Sequence, residues 1–522
     1  LLGNDDKVTE EVKNSYQENG ISHLFAISGM QFYLLASFLL KILNKLKIKE
    51  KKSYILVFIF LLGYLSILGI TASILRGILI FILNSINRVW HLGLKREKII
   101  ILTIVITILV NPYFLTEAAF WYSFLISIGL LYTLKQNDSY WKTLWKSSIF
   151  SFLISIPISL FYFYEINILS IFYNLFYIPF INIIIFPMSI LTLFLPIIEP
   201  IYQILITILE ESSLLLQEIE IGKYLFPKVV FLVYLLELFL IIYYIKTKKK
   251  RFLILLISIL SIHHCTFYLQ KDFIKIIDVG QGDAILIFSK GKTALIDTGG
   301  IIKFDGTKSS TISKYKTIPL LKSLGIKELN FALLTHGDYD HVGEFFYLNE
   351  HIKIEEVYIN LGRKSSIEKE IIKERQDIKP IKQNQDIQIG NFTLYQLNKS
   401  WKEENAASSV YYVVHPNLTG LLMGDATVET EDYLLSNYNL KVDFIKIGHH
   451  GSSTSSSRSF LKEVNPSLAL ISVGKNNRYH HPSKEVLDNL TAKNIPYLQT
   501  ATSGTITIYP KTGLVTEDKK ER

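Results

Sequence analysis

From Ile21 to Leu269 the chain runs almost without relief through Ile, Leu, Phe and Tyr, with charges gathered into short clusters. This pattern predicts ten candidate membrane spans, at 21–40, 54–70, 71–87, 98–111, 113–134, 147–166, 168–186, 187–209, 224–245 and 252–269. A straight helix needs about 20 residues to cross the hydrocarbon, which several of these spans fall short of, and the pairs 54–87 and 168–209 show no loop between their members. Pro157, Pro179, Pro187 and Pro196 interrupt the apolar runs, which predicts kinked or broken helices that line a cavity rather than face lipid. From Lys271 onward charged, polar and glycine residues return at globular density. The expectation is a polytopic α-helical membrane bundle over 1–270, followed by an α/β soluble domain over 271–522.

Charge adds an orientation. Lys and Arg collect at 41–52, 88–98, 135–146 and 246–251, and an even number of spans separates each cluster from the next, so all four can be cytoplasmic together. Glu210, Glu211, Glu218 and Glu220 then fall on the other side, and the soluble half lies outside the cytoplasmic membrane of a multi-pass protein. The formal charge of +9 is modest for 522 residues and does not itself call for a nucleic acid. Cys265 is the only cysteine, which excludes an intrachain disulfide. The first residue is Leu1, residues 1–20 lack a signal-peptide pattern, and the chain reads as truncated at its start. Inside the bundle, Arg76 is the candidate pore-facing charge, with a snorkelling stem as the alternative.

The densest chemistry lies after the apolar run Leu329–Thr335: His336-Gly-Asp338-Tyr-Asp340-His341 places four possible ligands in six residues. Alternation puts His336 and Asp338 on one side of the loop, while Asp340 and His341 turn toward a second position, an arrangement suited to two metal ions. Asp425 follows the apolar strand Thr419–Met423, a natural place for a carboxylate that bridges both. His449 and His450 follow Phe444–Gly448, and His480 and His481 precede Pro482 near a helix start.

The opening LLGNDDKVTEEVKNSYQENGISHLFAISGMQ, with His23, Ser28, Gly29 and Gln31, resembles the membrane segment of ComEC-type competence proteins, which move transforming DNA across the inner membrane. Gln31 stands where that family often has His. IIDVGQGDAILI, with Gly280, Gln281, Gly282 and Asp283, and ALIDTGG, with Asp297, resemble the first half of a metallo-β-lactamase-like αββα sandwich, and the resemblance runs from Phe273 to the C-terminus. It implies His336 and Asp338 as ligands of one ion, Asp340, His341 and His481 as ligands of the other, and Asp425 as the bridge. It also implies one or two divalent ions, Zn²⁺ or Mn²⁺. Asp338 replaces a lactamase His, and NAASSVYYV, with Asn405 and Ser409, offers no third imidazole, so the first site is richer in oxygen and less selective for zinc. His480 and Ser483 depart from the residues typical around His481.

Such a site suits phosphodiester hydrolysis, with His449 or His450 contacting phosphate or protonating the leaving group beside Asp338 and Asp340, or with both histidines supporting the ligands from behind. Lys303, Lys308, Lys314, Lys316 and Lys322, with Lys475 and Arg478, are placed to hold a polyanion through its phosphates, or form solvated loops. The expected function is DNA internalisation with the outer domain cutting the strand that does not enter. The expected partners are DNA, membrane lipid and other competence-machinery proteins, with a second copy of the chain as a further candidate. Two rivals stay open: a membrane-tethered hydrolase of small esters, and a transporter whose outer domain binds DNA without cleaving it.

Overall fold

The computed structural model describes residues 8–21, 29–134, 137–302 and 308–518. The chain divides into two compact units, Leu1–His263 and His264–Arg522, and the division falls within the last apolar helix, Lys250–Leu269, a few residues before the expected boundary. His23, Ser28 and Lys303 lie outside the described residues.

In the first unit, ten helices of 15 residues or more follow a short amphipathic one, Glu10–Glu18, among the described residues. Four, Ala72–Val89, Tyr140–Tyr162, Ser170–Phe194 and Lys250–Leu269, are long and apolar enough to cross a membrane. The expected break at 186/187 is absent. Pro179 is followed by a π-helical stretch, Phe180–Ile185, in which the Phe186 N–H reaches the Ile181 carbonyl. This wider turn absorbs the missing N–H of proline, so Ser170–Phe194 continues through Pro187. The chain breaks instead at Leu195, whose φ/ψ of −130°/76° is non-helical, as expected of a residue before proline.

Contacts define the two ends of this bundle. At one end Arg88 Nε lies 2.9 Å from Glu50, Lys248 Nζ sits 4.3 Å from the Phe150 ring, and Lys142 and Lys146 pair with Asp138. At the other, the strand Glu165–Asn167 pairs antiparallel with Lys223–Leu225, and Lys223 reaches Glu18 at 2.9 Å. Helix Glu10–Glu18 docks there through Ser15 and Asn19 on Ser213. Glu165 is therefore at a bundle end. Arg76 is tied to a neighbouring helix: its guanidinium donates to the Ser123 carbonyl at 2.6 Å and to the Ser127 hydroxyl of the helix Ala118–Thr133.

The second unit is the expected αββα sandwich. One sheet runs Lys379–Pro380, Lys353–Ile359, Glu328–Leu334, Lys292–Ile296, Ile285–Ser289, Phe273–Ile276, Thr505–Tyr509 and Leu514–Asp518 from edge to edge. The other runs Asp386–Ile389, Phe392–Gln396, Tyr411–His415, Leu418–Leu422, Phe444–Lys446, Leu468–Ile471 and Tyr497–Gln499. Alternation sorts each strand between two cores. Ile285 and Ile287 enter the layer between the sheets with Phe392, Val413 and Phe444, while Leu286 and Phe288 face the helices outside. Helices Val428–Asn437, Arg458–Val464 and Lys484–Ala492 cover the other sheet. Lys290 and Gly291 both take positive φ, 49° and 77°, so Ile285–Ser289 and Lys292–Ile296 close through a two-residue turn matched to strand twist.

Candidate metal centre

Each histidine of the centre is aimed by what its other ring nitrogen does. The strand Glu328–Leu334 ends at Thr335, whose N–H and hydroxyl donate to the two oxygens of Asp297 at 2.8 and 2.7 Å. The same carboxylate accepts from His341 Nδ1 at 2.8 Å, which turns His341 Nε2 inward. His341 and Asp340 ride on the short helix Tyr339–Val342, and Gly282 packs beneath it so closely that a Cβ would stand 2.2 Å from the Asp340 carbonyl oxygen.

Asp425 follows the strand Leu418–Leu422 through Gly424, which has φ of 53° and room for no side chain against Ser408. Its N–H donates to Ser408 Oγ at 3.0 Å. After the strand Phe444–Lys446, His449 and His450 both adopt left-handed φ, 46° and 52°. Such backbone costs on the order of 1–3 kcal/mol at each non-glycine residue and persists where surroundings enforce it. Here Ser455 Oγ holds the Gly448 carbonyl at 2.7 Å, and His449 N–H donates to the Gly424 carbonyl at 3.0 Å. His450 Nδ1 donates to the Ser472 carbonyl at 2.9 Å, leaving Nε2 to face the centre.

Two nests of donors result. In the first, His341 Nε2 lies 3.2 Å from Asp425 Oδ1 and 3.3 Å from His450 Nε2, and His450 Nε2 lies 3.4 Å from Asp340 Oδ2 and 3.6 Å from Asp425 Oδ1. Donors about 2.1 Å from one ion at tetrahedral angles stand about 3.4 Å apart, so these spacings suit a divalent cation, and Asp340, His341 and His450 form one candidate ligand group. In the second, His336 Nε2 lies 3.5 Å from Asp338 Oδ2 and 3.8 Å from Asp425 Oδ2, with His449 Nε2 3.7 Å from the same oxygen. This nest is looser. Asp425 presents Oδ1 to one nest and Oδ2 to the other. His336 Nε2 and Asp425 Oδ1 are buried with no hydrogen-bond partner, as groups that await a cation would be.

The electrostatics follow. Burial would raise the Asp425 carboxyl, but His341 and His450 outweigh it and hold it well below the usual range. Asp340 is lowered in the same way, its burial outweighed by the His450 hydrogen bond and the charges of both imidazoles. Burial would lower His341 and His450, yet neighbouring carboxylates, Asp425 foremost, raise both. His449 and His481 are pushed down, chiefly by burial.

The residues expected from the sequence are thus redistributed. His336, Asp338, Asp340, His341 and Asp425 come together. His450, expected to touch substrate or to support the ligands, lies among the donors of the first nest, nearer to them than His481. His481 is half-buried one ring further out, its centroid 5.9 Å from that of His449. Of the basic candidates, Lys316 is tied to the Asp278 carbonyl at 2.5 Å, Lys314 lies 5.3 Å from the Tyr315 ring, and Lys308 is in a two-residue strand paired with Ile301–Ile302. Lys475 and Arg478 are exposed. Sequence reading missed Lys446, a fully buried ammonium that forms an ion pair with Asp283 and donates to the Gly424 carbonyl at 3.2 Å. A lysine inside an otherwise apolar central strand was the available signal. Asp283 in turn stands 3.7 Å from His450 Nδ1 and 4.0 Å from His341 Nδ1.

Residues 1–251 match the family described as "Competence protein", and residues 277–475 match the metallo-beta-lactamase superfamily. The chain is 29% identical to ComE operon protein 3 of Bacillus subtilis over 96% of its own length and 69% of that protein. It is also 29% identical to competence protein ComA of Neisseria gonorrhoeae over 44% of this chain and 31% of that one. Among solved structures, the metallo-beta-lactamase fold protein YhfI of Bacillus subtilis aligns over 44% of this chain and 95% of its own, with 13% identity and a TM-score of 0.30.

Proposed function

We propose, from the premise that this chain belongs to the ComEC-type competence family, that it carries one strand of DNA across the cytoplasmic membrane while its soluble unit hydrolyses phosphodiester bonds of the other. The observation that carries the hydrolytic part is Asp425, whose two carboxylate oxygens face two separate donor nests. His341, His450, Asp340 and Asp425 would hold one divalent ion, and His336, Asp338 and Asp425 a second. A bound ion would supply Lewis acidity toward a phosphoryl oxygen. The chain's own residues do the rest. Asp297 and Ser472 hold the two inner imidazoles in their donating orientation, and His449, at the accessible edge with Nδ1 3.0 Å from the Thr454 hydroxyl and Nε2 3.7 Å from the shared carboxylate, would meet substrate at the border of the second nest.

The full chain, purified in lipid nanodiscs, tests this directly with a fluorescent single-stranded oligonucleotide and Mn²⁺ or Zn²⁺. Asp340→Ala is expected to lower the hydrolysis rate by more than about 100-fold, since loss of a residue that merely supports a ligand costs about 10–100-fold. Cleavage of small esters together with an intact oligonucleotide would replace this reading with that of a tethered esterase.

Orientation rests on parity. Two helices separate the end that holds Lys45 and Glu50 from the loop after Val89, two more lead to the loop before Tyr140, and four lead to Lys248. If each helix crosses, all the basic turns share the cytoplasmic face, and the last helix delivers the soluble unit outside. Cys265, the single cysteine, is exposed at the end of that helix and serves as a built-in reporter. A membrane-impermeant maleimide added to intact cells stripped of their outer layers is expected to label it. Labelling only after lysis would reverse the topology.

A further inference from the structure

The loop from Gly474 to Pro482 carries more internal order than a connection at the rim of a site requires. Asn477 pins it from within: its Nδ2 donates to the carbonyls of Gly474 at 3.0 Å and His481 at 2.6 Å, and its Oδ1 accepts from the N–H of His481 at 3.0 Å and of Tyr479 at 3.2 Å. Asn476 and His480 are held in left-handed backbone, φ 54° and 56°, on a stretch that contributes little to the core. What this order presents to solvent is the Tyr479 ring, half of whose surface stays exposed.

The ring lies nearly parallel to His481, at 16° and 5.8 Å between centroids, and His481 stands 5.9 Å from His449, whose Nε2 is 3.7 Å from Asp425. Aromatic surface therefore leads in steps from solvent to the carboxylate shared by the two nests. Arg478, itself exposed, lies over the Tyr479 ring, 4.8 Å from its centroid, and bonds its hydroxyl at 2.5 Å, so a base that stacks there displaces a guanidinium that can then meet the backbone phosphate. Trp401, by contrast, is committed: its N–H donates to Asn398 at 2.8 Å, Lys399 covers its ring at 4.0 Å, and Tyr433 meets it edge-on.

We propose that Tyr479, buttressed by His481 and flanked by Arg478, is a stacking platform for an unpaired base of the DNA strand led to the metal centre. This rests on the phosphodiester reading above and adds to it a residue that selects unpaired, base-bearing strand. A flat π-face accepts every base, so the subsite carries no sequence preference, and the neighbouring guanidinium pairs with the backbone phosphate. A base-paired duplex hides the faces of its bases from such a ring.

The test compares a phosphorothioate oligothymidylate, which resists hydrolysis, with an abasic deoxyribose-phosphate strand of equal length and backbone. Affinity is read by fluorescence anisotropy on the full chain in nanodiscs. Stacking one base on an aromatic side chain contributes about 1–3 kcal/mol, so the native protein is expected to prefer the base-bearing strand by about tenfold. Tyr479→Ala is expected to erase that preference, and Tyr479→Trp to keep it. An unchanged preference in Tyr479→Ala overturns the assignment, and so does a native protein that binds both strands equally while still cleaving DNA. A native protein that binds neither strand defeats the phosphodiester reading and this inference with it.

Discussion

Replacing Asp425 with alanine is expected to strip the soluble unit of every tightly held divalent ion, whereas Asp338→Ala should leave one ion per chain in place. The difference follows from how the two carboxylates are shared. Among the described residues Asp338 pairs with one imidazole of the centre, His336, at 3.5 Å, and its side chain is 44% exposed. Asp425 is fully buried and stands within 3.2–3.8 Å of His341, His450, His449 and His336, with one oxygen toward each nest. Its loss removes an anionic donor from both nests and leaves four imidazoles facing one another without the charge that offsets them. The affinity loss should exceed the roughly 100-fold at the upper end for a supporting residue. Metal content per chain after dialysis, by mass spectrometry of the protein-bound metal, reads the result. Two ions retained by Asp425→Ala would dissolve the shared-carboxylate account.

Much of this was legible because the chemistry is locally dense. Four donors in six residues after an apolar strand mark His336–His341 without any structure, and the return of charged, polar and glycine residues near Lys271 separates bundle from sandwich. What escaped depends on backbone direction. Nothing in the doublet His449-His450 says that two successive left-handed residues send one imidazole to the accessible edge and the other inward to the Ser472 carbonyl, so the sequence alone does not set His450 among the donors. Proline positions were equally ambiguous in one dimension. Pro187 follows a widened helical turn that tolerates it, while Pro196 follows a residue already outside helical geometry. In the bundle, Glu237 passed as part of an apolar run, yet it is buried and paired with His263 at 2.9 Å, a match across 26 residues that only packing reveals.

Lys446→Met should be the most damaging single substitution away from the ligands. The Lys446 ammonium is fully buried in a strand with neighbours on both sides, Lys446 opposite Leu422 and Leu470, and its partner Asp283 is as deeply buried. A buried pair contributes little beyond a well-packed apolar one, but removing a single partner strands the other charge and costs about 3–5 kcal/mol. Asp283 would be left with its Oδ1, already without a hydrogen-bond partner, and with no cation to balance it except the protonated forms of His341 and His450. For a unit of this size each kcal/mol moves the melting temperature by about 2–4 °C, so a fall on the order of 10 °C is expected in the thermal transition of the soluble unit. Lys446→Met combined with Asp283→Asn should recover most of it, because the stranded charge is then gone. Divalent metal should also narrow the deficit of the single variant, since the uncompensated carboxylate lies within 4.0 Å of ligating imidazoles and a cation bound only by the folded state stabilises it by mass action. Equal melting temperatures for native and Lys446→Met protein would show that the Asp283 charge is balanced by something other than this lysine.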